Sequence, residues 1–293
     1  MIENFKSLDE LAKEASRRKT TISKLTIQLQ AESMKTDEKS LREKMGKTLS
    51  VMRESVINGM NETSSASGLS GGFAKKLENY DSGMLGKTVH LAAVYALAIS
   101  EHNACMGRIA SAPTAGSCGI LPGALLALGE THGISDEKLT DALFTAAAVG
   151  MVIANNATLS GAKGGCAAEC GSASAMAAAA VTELLGGTPE QCANACALGL
   201  KAIMGLVCDP VAGLVEVPCV KRNATGTVMA LTVAELALAG IPSAIPADEV
   251  IGAMRSVGSM MNEALRETSK GGIAVTKTAK KIENELKHKE YVK

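Results

Sequence analysis

The sequence predicts an all-α fold, a compact bundle of closely packed Ala/Gly-rich helices, and three observations predict it. Apolar residues recur at helical spacing, and sustained period-two strands are absent. Aromatic residues are 2% of the chain, with no Trp, while 29 Gly and 14 Met accompany runs such as SASAMAAAA. Such a core is filled by helices that approach over small side chains, with Met closing the gaps. Gly, Pro and N-cap residues then divide the chain at helix-length intervals.

Residues 1–60 read as an N-terminal amphipathic helical segment and residues 61–293 as the main all-α domain. In the first part, Leu8, Leu11 and Ala15 share one face, and Met45, Leu49, Met52 and Val56 recur between Thr36 and Met60. The run NETSSASGLSGG, Asn61 to Gly72, is a Ser/Gly-rich loop that serves as a linker or as a lid with glycine freedom. A helix is expected from Lys87 to Ser100, broken near Gly107 and again across Ser111–Gly119, after which ILPGALLALGE starts a buried helix. Ser135 caps the next helix, which runs to about Ile153 and stops at Asn155-Asn156. Gly171–Leu185 is helical and nearly all small residues, and Thr188-Pro189-Glu190 opens another helix with Pro at its first position. Helices over Thr225–Leu238 and Asp248–Glu267 complete the expected set.

Composition bounds the function. Of 293 residues, 46% are hydrophobic, enough for a sizeable core, and 30 Lys plus Arg balance 30 Asp plus Glu. No net field therefore draws the chain to nucleic acid or to an anionic membrane. The start, MIENFKSLDELAKEASRRK, carries charges throughout and no apolar signal region, so a cytoplasmic location is expected. Two uncharged runs, 109–129 and 142–162, reach membrane-spanning length. Pro113 and Pro122 interrupt the first and Asn155 and Asn156 the second, so both read as buried segments of the fold.

In a reducing compartment the eight cysteines are core residues, metal ligands or redox groups rather than a disulfide framework. Cys105, Cys192 and Cys196 lie in Ala- or Met-rich helical contexts and read as small buried hydrophobes. Cys166, Cys208 and Cys219 instead sit in Gly- or Pro-rich breaks, GAKGGCAAECG and LVCDPVAGLVEVPC. Thiolates on such turns can converge on a metal or a cluster, although no CxxC spacing distinguishes them from core cysteines. Cys170 can share a helical face with Cys166, and Cys118 can line a site at a helix N-terminus. Around the same breaks, Ser111, Thr114 and Ser117, with the N–H groups of Gly116 and Gly119, form either an anion cradle or ordinary turn chemistry. Lys163 is a candidate carboxylate binder, base or Schiff-base lysine; Arg222 and Asn155 are further substrate-binding candidates, and His102 a further base.

The strings SAPTAGSCGILPG, NATLSGAKGGCAAECGSASAMAAAA and GLVCDPVAGLVEVPCVKRNA closely resemble the α subunit of bacterial iron–sulfur-dependent L-serine dehydratase. The likeness runs from GLSGG at Gly68 to ETSKGGIAVT near Thr276. It implies an all-α catalytic domain whose loops between helices carry an oxygen-sensitive 4Fe-4S cluster, with no pyridoxal phosphate. It also implies Cys166, Cys208 and Cys219 as the cluster ligands, a separate β subunit as partner and L-serine as substrate. By the same resemblance, an open iron acts as Lewis acid on the serine hydroxyl and the products are pyruvate and ammonia. Thr114, Ser117 and Lys163 are then expected at the chemistry, and Ser111, Thr114, Gly116, Ser117, Gly119, Asn155 and Arg222 around the substrate. Two departures stand out: Lys163 occupies a place where an acidic or small residue is expected, and the chain ends in KHKEYVK, without the terminal cysteine of some single-chain relatives. The fourth iron is accordingly expected to be open, or closed by a group from the partner. Cysteine desulfidase, which resembles this family in the same portion, and a non-catalytic zinc or iron–sulfur protein are the alternatives.

Overall fold

A computed structural model describes residues 6–80 and 82–288. The chain start and the closing residues 289–293, on which the expectations about a leader and a terminal cysteine rest, lie outside the described residues. Among the described residues there are thirteen α-helices and no β-strand beyond one isolated bridge. They are α1 (Leu8–Arg17), α2 (Ile22–Met34), α3 (Glu38–Gly59), α4 (Phe73–Glu78), α5 (Gly86–Ala104), α6 (Ile120–His132), α7 (Asp136–Asn156), α8 (Gly161–Cys166), α9 (Ser172–Leu184), α10 (Pro189–Ala202), α11 (Cys219–Leu238), α12 (Ala247–Met260) and α13 (Lys277–His288).

Local chemistry sets the starts. Ser7, Thr21, Asp37 and Ser135 each accept a backbone N–H from the first turn they cap, and Thr188 with Gln191 closes a reciprocal capping box ahead of Pro189. The centre is α9, buried without interruption from Ser172 to Thr182 and surrounded by α6, α7, α10 and α11. A helix that is small and apolar on every side can occupy only such a position. Leu8, Leu11, Ile22, Leu25 and Leu49 of the first three helices join the same continuous core as Leu125, Leu139, Ile153 and Leu200. Among the described residues one helix, α7, is long and apolar enough to cross a membrane, and most of its apolar window is covered by the fold.

Close helix approach has a measurable consequence. A Cβ on Gly59, at the end of α3, would lie 1.9 Å from the Ala98 carbonyl oxygen of α5, whereas one on Gly252 in α12 would meet nothing within 4 Å. Gly59→Ala is expected to cost about 3 kcal/mol by overpacking. Gly252→Ala is expected to stabilise by about 0.5–1 kcal/mol through helix propensity. Urea unfolding of the two variants reads the difference directly.

The ends of some helices differ from the sequence expectation. Helix α7 does end at the expected Asn155-Asn156 pair, where the Asn156 side chain donates to Val152 O and Lys6 O, 2.8 and 2.7 Å. Helix α11 begins at Cys219 rather than Thr225, directly after Pro218. Helix α12 stops at Met260 instead of reaching Glu267, because the chain beyond it pairs with the loop of Cys208: Cys208 N–H donates to Leu265 O at 2.9 Å and Glu267 N–H to Cys208 O at 2.7 Å. Helix α13 is additional, an amphipathic stretch that buries Ala279 and Leu286.

The Ser/Gly-rich segment 61–72 is tied at two points by carboxylates. Fully buried Glu101 of α5 accepts the N–H groups of Gly71, Phe73 and Ala74 at 3.0, 2.7 and 3.0 Å. Glu216, from the loop between Cys208 and Cys219, accepts the Ser65 and Ser67 hydroxyls at 2.6 and 2.7 Å.

Candidate active site

Three backbone devices present Cys166, Cys208 and Cys219. Gly165, with φ 70° and ψ −172°, breaks α8 so that Cys166 enters a π-helical turn, Ala167–Gly171. A Cβ on Gly165 would lie 2.7 Å from Leu206 O, and the neighbouring Ala167 N–H donates to that same carbonyl at 2.9 Å. The Cys166 segment is thus stitched to the segment leading into Cys208. Cys208 is fixed by its two backbone bonds to the stretch after α12, and Cys219 is the first residue of α11. All three lie at breaks or ends of helices, and they are only 3%, 4% and 9% exposed.

Arg222, one turn into α11 from Cys219, gathers these segments. Its guanidinium donates to Val207 O at 2.9 Å and to buried Asp209 Oδ1 at 3.0 Å, and its charge lies beside the Cys166 thiol. Asp209 in turn accepts the Ile273 N–H at 2.9 Å. Arg222, expected at the substrate, is therefore already engaged in holding the cysteine loops. A fixed fork with several donors suits that task.

The thiols sense one another. The Cys166 and Cys170 sulfurs pair across 3.3 Å, a contact that holds the Cys166 thiol below its ordinary value, and Arg222 adds to the effect. Burial pushes Cys219 up to about 12 and Cys208 further in the same direction, and the negative charge of nearby Cys166 contributes to both. Among the described residues no three His, Cys, Asp or Glu side chains close around a single ion. Three buried thiols close enough to feel the charge of Cys166, beside a guanidinium, are a donor set of the kind that metal ions and iron–sulfur clusters take. Space is kept there by Gly161, where a Cβ would sit 2.7 Å from Glu169 Oε2 and 3.2 Å from Cys208 Sγ.

Glu169 was not among the expected site residues, although it follows Cys166 by three positions in GGCAAECG. The π-helical turn brings its half-buried carboxyl among the thiols and beside Thr114, 3.6 Å from the position of a Cβ on Gly116. Burial raises its pKa above the ordinary glutamic acid value, with a contribution from Glu267. Thr114 Oγ1 pairs with buried Ser117 Oγ at 3.1 Å, and Glu169 lies next to Thr114, so the three residues follow one another in a line. Asn223 is a second residue the sequence reading missed. It accepts the Gly119 N–H at 2.9 Å and donates to Gly116 O at 2.8 Å. That bond occupies the Gly119 N–H that had been expected to face an anion.

The remaining expected residues lie apart from this line. Lys163 is exposed on α8, Ser111 is exposed at the rim of the loop, and Asn155 is exposed at the end of α7. His102 is bonded through Nδ1 to Glu62 at 2.9 Å, and its ring fills the space beside Gly107. Cys192 and Cys196 are buried in α10, and burial drives both thiols upward.

The family model for the serine dehydratase alpha chain matches residues 17–274. The "Probable L-serine dehydratase, alpha chain" of Bacillus subtilis (strain 168) is 48% identical over 98% of this chain and 95% of its own. The "L-serine dehydratase, alpha chain" of Peptoniphilus asaccharolyticus is 43% identical over 89% of this chain and 91% of its own. A longer relative, "L-serine dehydratase" of Streptomyces coelicolor, is 37% identical over 92% of this chain and 61% of its own length.

Proposed function

Because the chain belongs to the serine dehydratase alpha chain family, we propose that it is the alpha chain of an L-serine ammonia-lyase. With a separate beta chain it converts L-serine to pyruvate and ammonia. One observation carries the reading at the site: the segments of three buried cysteines are drawn together by Arg222 beside a carboxyl and a hydroxyl-lined loop. Cys166, Cys208 and Cys219 are the residues that would hold a 4Fe-4S cluster. Bound there, the cluster would supply a Lewis acid for the hydroxyl that must leave.

The chain's own groups account for the rest of the chemistry. The Thr114 and Ser117 hydroxyls and the Gly116 N–H are placed on one short turn and orient the substrate carboxylate. Glu169, beside Thr114, is the carboxylate available to take the Cα proton at one of its Oε atoms. A base of this kind works best when its pKa lies near the operating pH, and burial moves Glu169 in that direction. Loss of the Cα proton and of the hydroxyl, as water overall, gives aminoacrylate, which tautomerises to the imine and hydrolyses to pyruvate and ammonia. Near-complete burial of the thiols limits the access of bulk water to the site.

Cysteine desulfidase is the alternative within the same architecture, and it would expel sulfide instead of water. Pyruvate formation from serine and from cysteine, measured anaerobically with the beta chain present, separates the two. Serine is expected to be the better substrate by kcat/KM; a clear preference for cysteine contradicts the proposal.

A further inference from the structure

We propose that Asn223 is a positioning residue that links the cysteine site to the order of the substrate loop. Filling the cysteine site then arranges the groups that receive serine. The inference rests on the reading that the 114–119 turn holds the substrate carboxylate.

The observation is a single buried amide shared by both sides of the site. Asn223 is 1% exposed and sits one turn after Cys219 on α11. Its Nδ2 donates to Cys219 O at 3.0 Å and to Gly116 O at 2.8 Å, and its Oδ1 accepts the Gly119 N–H at 2.9 Å. The turn carrying Gly116 and Ser117 is thereby gripped at both ends by the residue that also bonds the backbone of Cys219. Arg222, immediately before it, grips the Cys208 segment through Val207 O and Asp209, and its charge lies beside the Cys166 thiol. Two consecutive residues of one helical turn thus join the cysteine segments to the loop, with no contact from a distant element required.

Only a side chain with two donors and one acceptor in this arrangement satisfies all three partners. Aspartate has the same shape but only acceptors when ionised, and it would face two carbonyl oxygens. The bonds are buried, so their loss is not made good by solvent. One turn further on, the Thr227 hydroxyl shares its one hydrogen between Asn223 O at 2.9 Å and Ile120 O at 3.2 Å and extends the same seam without touching a cysteine segment. It is the natural control.

The test is hydrogen exchange of the 114–120 segment, read in the full chain with its beta partner, in metal-free and iron-loaded forms, together with serine kinetics. In the wild type, loading is expected to slow exchange at Gly119 by about ten-fold or more, the effect of about one buried hydrogen bond. Asn223→Asp is expected to remove that difference and to raise KM for serine by about ten-fold, with iron and acid-labile sulfide per chain unchanged. Thr227→Val is expected to keep the loading-dependent difference. Equal exchange at Gly119 in the two wild-type forms overturns the inference without need of any variant. So does an Asn223→Asp protein that keeps both the exchange difference and the wild-type KM. A wild type that shows the exchange difference but no serine turnover supports the link and removes the functional reading beneath it, so the two failures are distinguishable.

Discussion

Cys208→Ser is expected to abolish the broad visible absorbance and the serine turnover of the anaerobically purified enzyme together, while Cys192→Ser leaves both in place. The two thiols are comparably buried, so burial alone does not distinguish them. Cys208 lies in a loop bonded on both sides to the stretch after α12, beside the space kept by Gly161, and it senses the charges of Cys166 and Cys219. Cys192 lies within α10, and its neighbouring charges are the structural carboxylates Glu183 and Glu190. A serine hydroxyl is a poor substitute for a thiolate toward iron. Iron content and turnover that survive loss of Cys208 would remove it from the ligand set.

Glu169→Gln is expected to lower kcat by about 10³-fold, the usual scale for removing a positioned acid–base group. Glutamine is nearly isosteric, so the visible spectrum and the iron content should persist. The pH dependence supplies a second readout. The base must be ionised to accept the Cα proton, and burial raises its pKa above the ordinary value of 4.5. The rate should therefore fall as pH drops through a value above the ordinary glutamate range. The residual activity of the glutamine variant should lack that acid limb. A variant that retains wild-type kcat and the same limb would place the base elsewhere, on the beta chain or at His102.

The helical class and the main helices were legible in the sequence because they depend on local signals: caps at Ser135 and Thr188, Pro189 at a first helical position, and the small-residue run that becomes buried α9. The early end of α12 was not legible. Its chain continues with residues acceptable in a helix, and what stops it is a backbone pairing with Cys208, more than fifty positions earlier. Helix α13, half of it charged and seated through Ala279 and Leu286, gave too narrow an apolar stripe to be noticed.

At the site, the three cysteines stood out because each interrupts a helix, and the structure places each at such an interruption. Glu169 did not stand out, because at ordinary helical spacing it would be a surface residue; the π-helical turn after Cys166 directs it inward. Arg222 was noticed for its charge, but its partners, Val207 O and Asp209, come from another loop that no spacing rule connects to it. Lys163 attracted notice for its residue type in a Gly-rich string, and the fold leaves it exposed.

The central claim is that Cys166, Cys208 and Cys219 together hold a cluster that serves serine deamination. Anaerobic iron and acid-labile sulfide analysis of the chain purified with its beta partner, followed at once by a serine assay on the same sample, tests it most directly. The expected result is about four iron and four sulfide per chain, with pyruvate formation that rises in proportion to iron content. Full serine turnover in a sample free of iron and sulfide, or zinc in place of both, would contradict it.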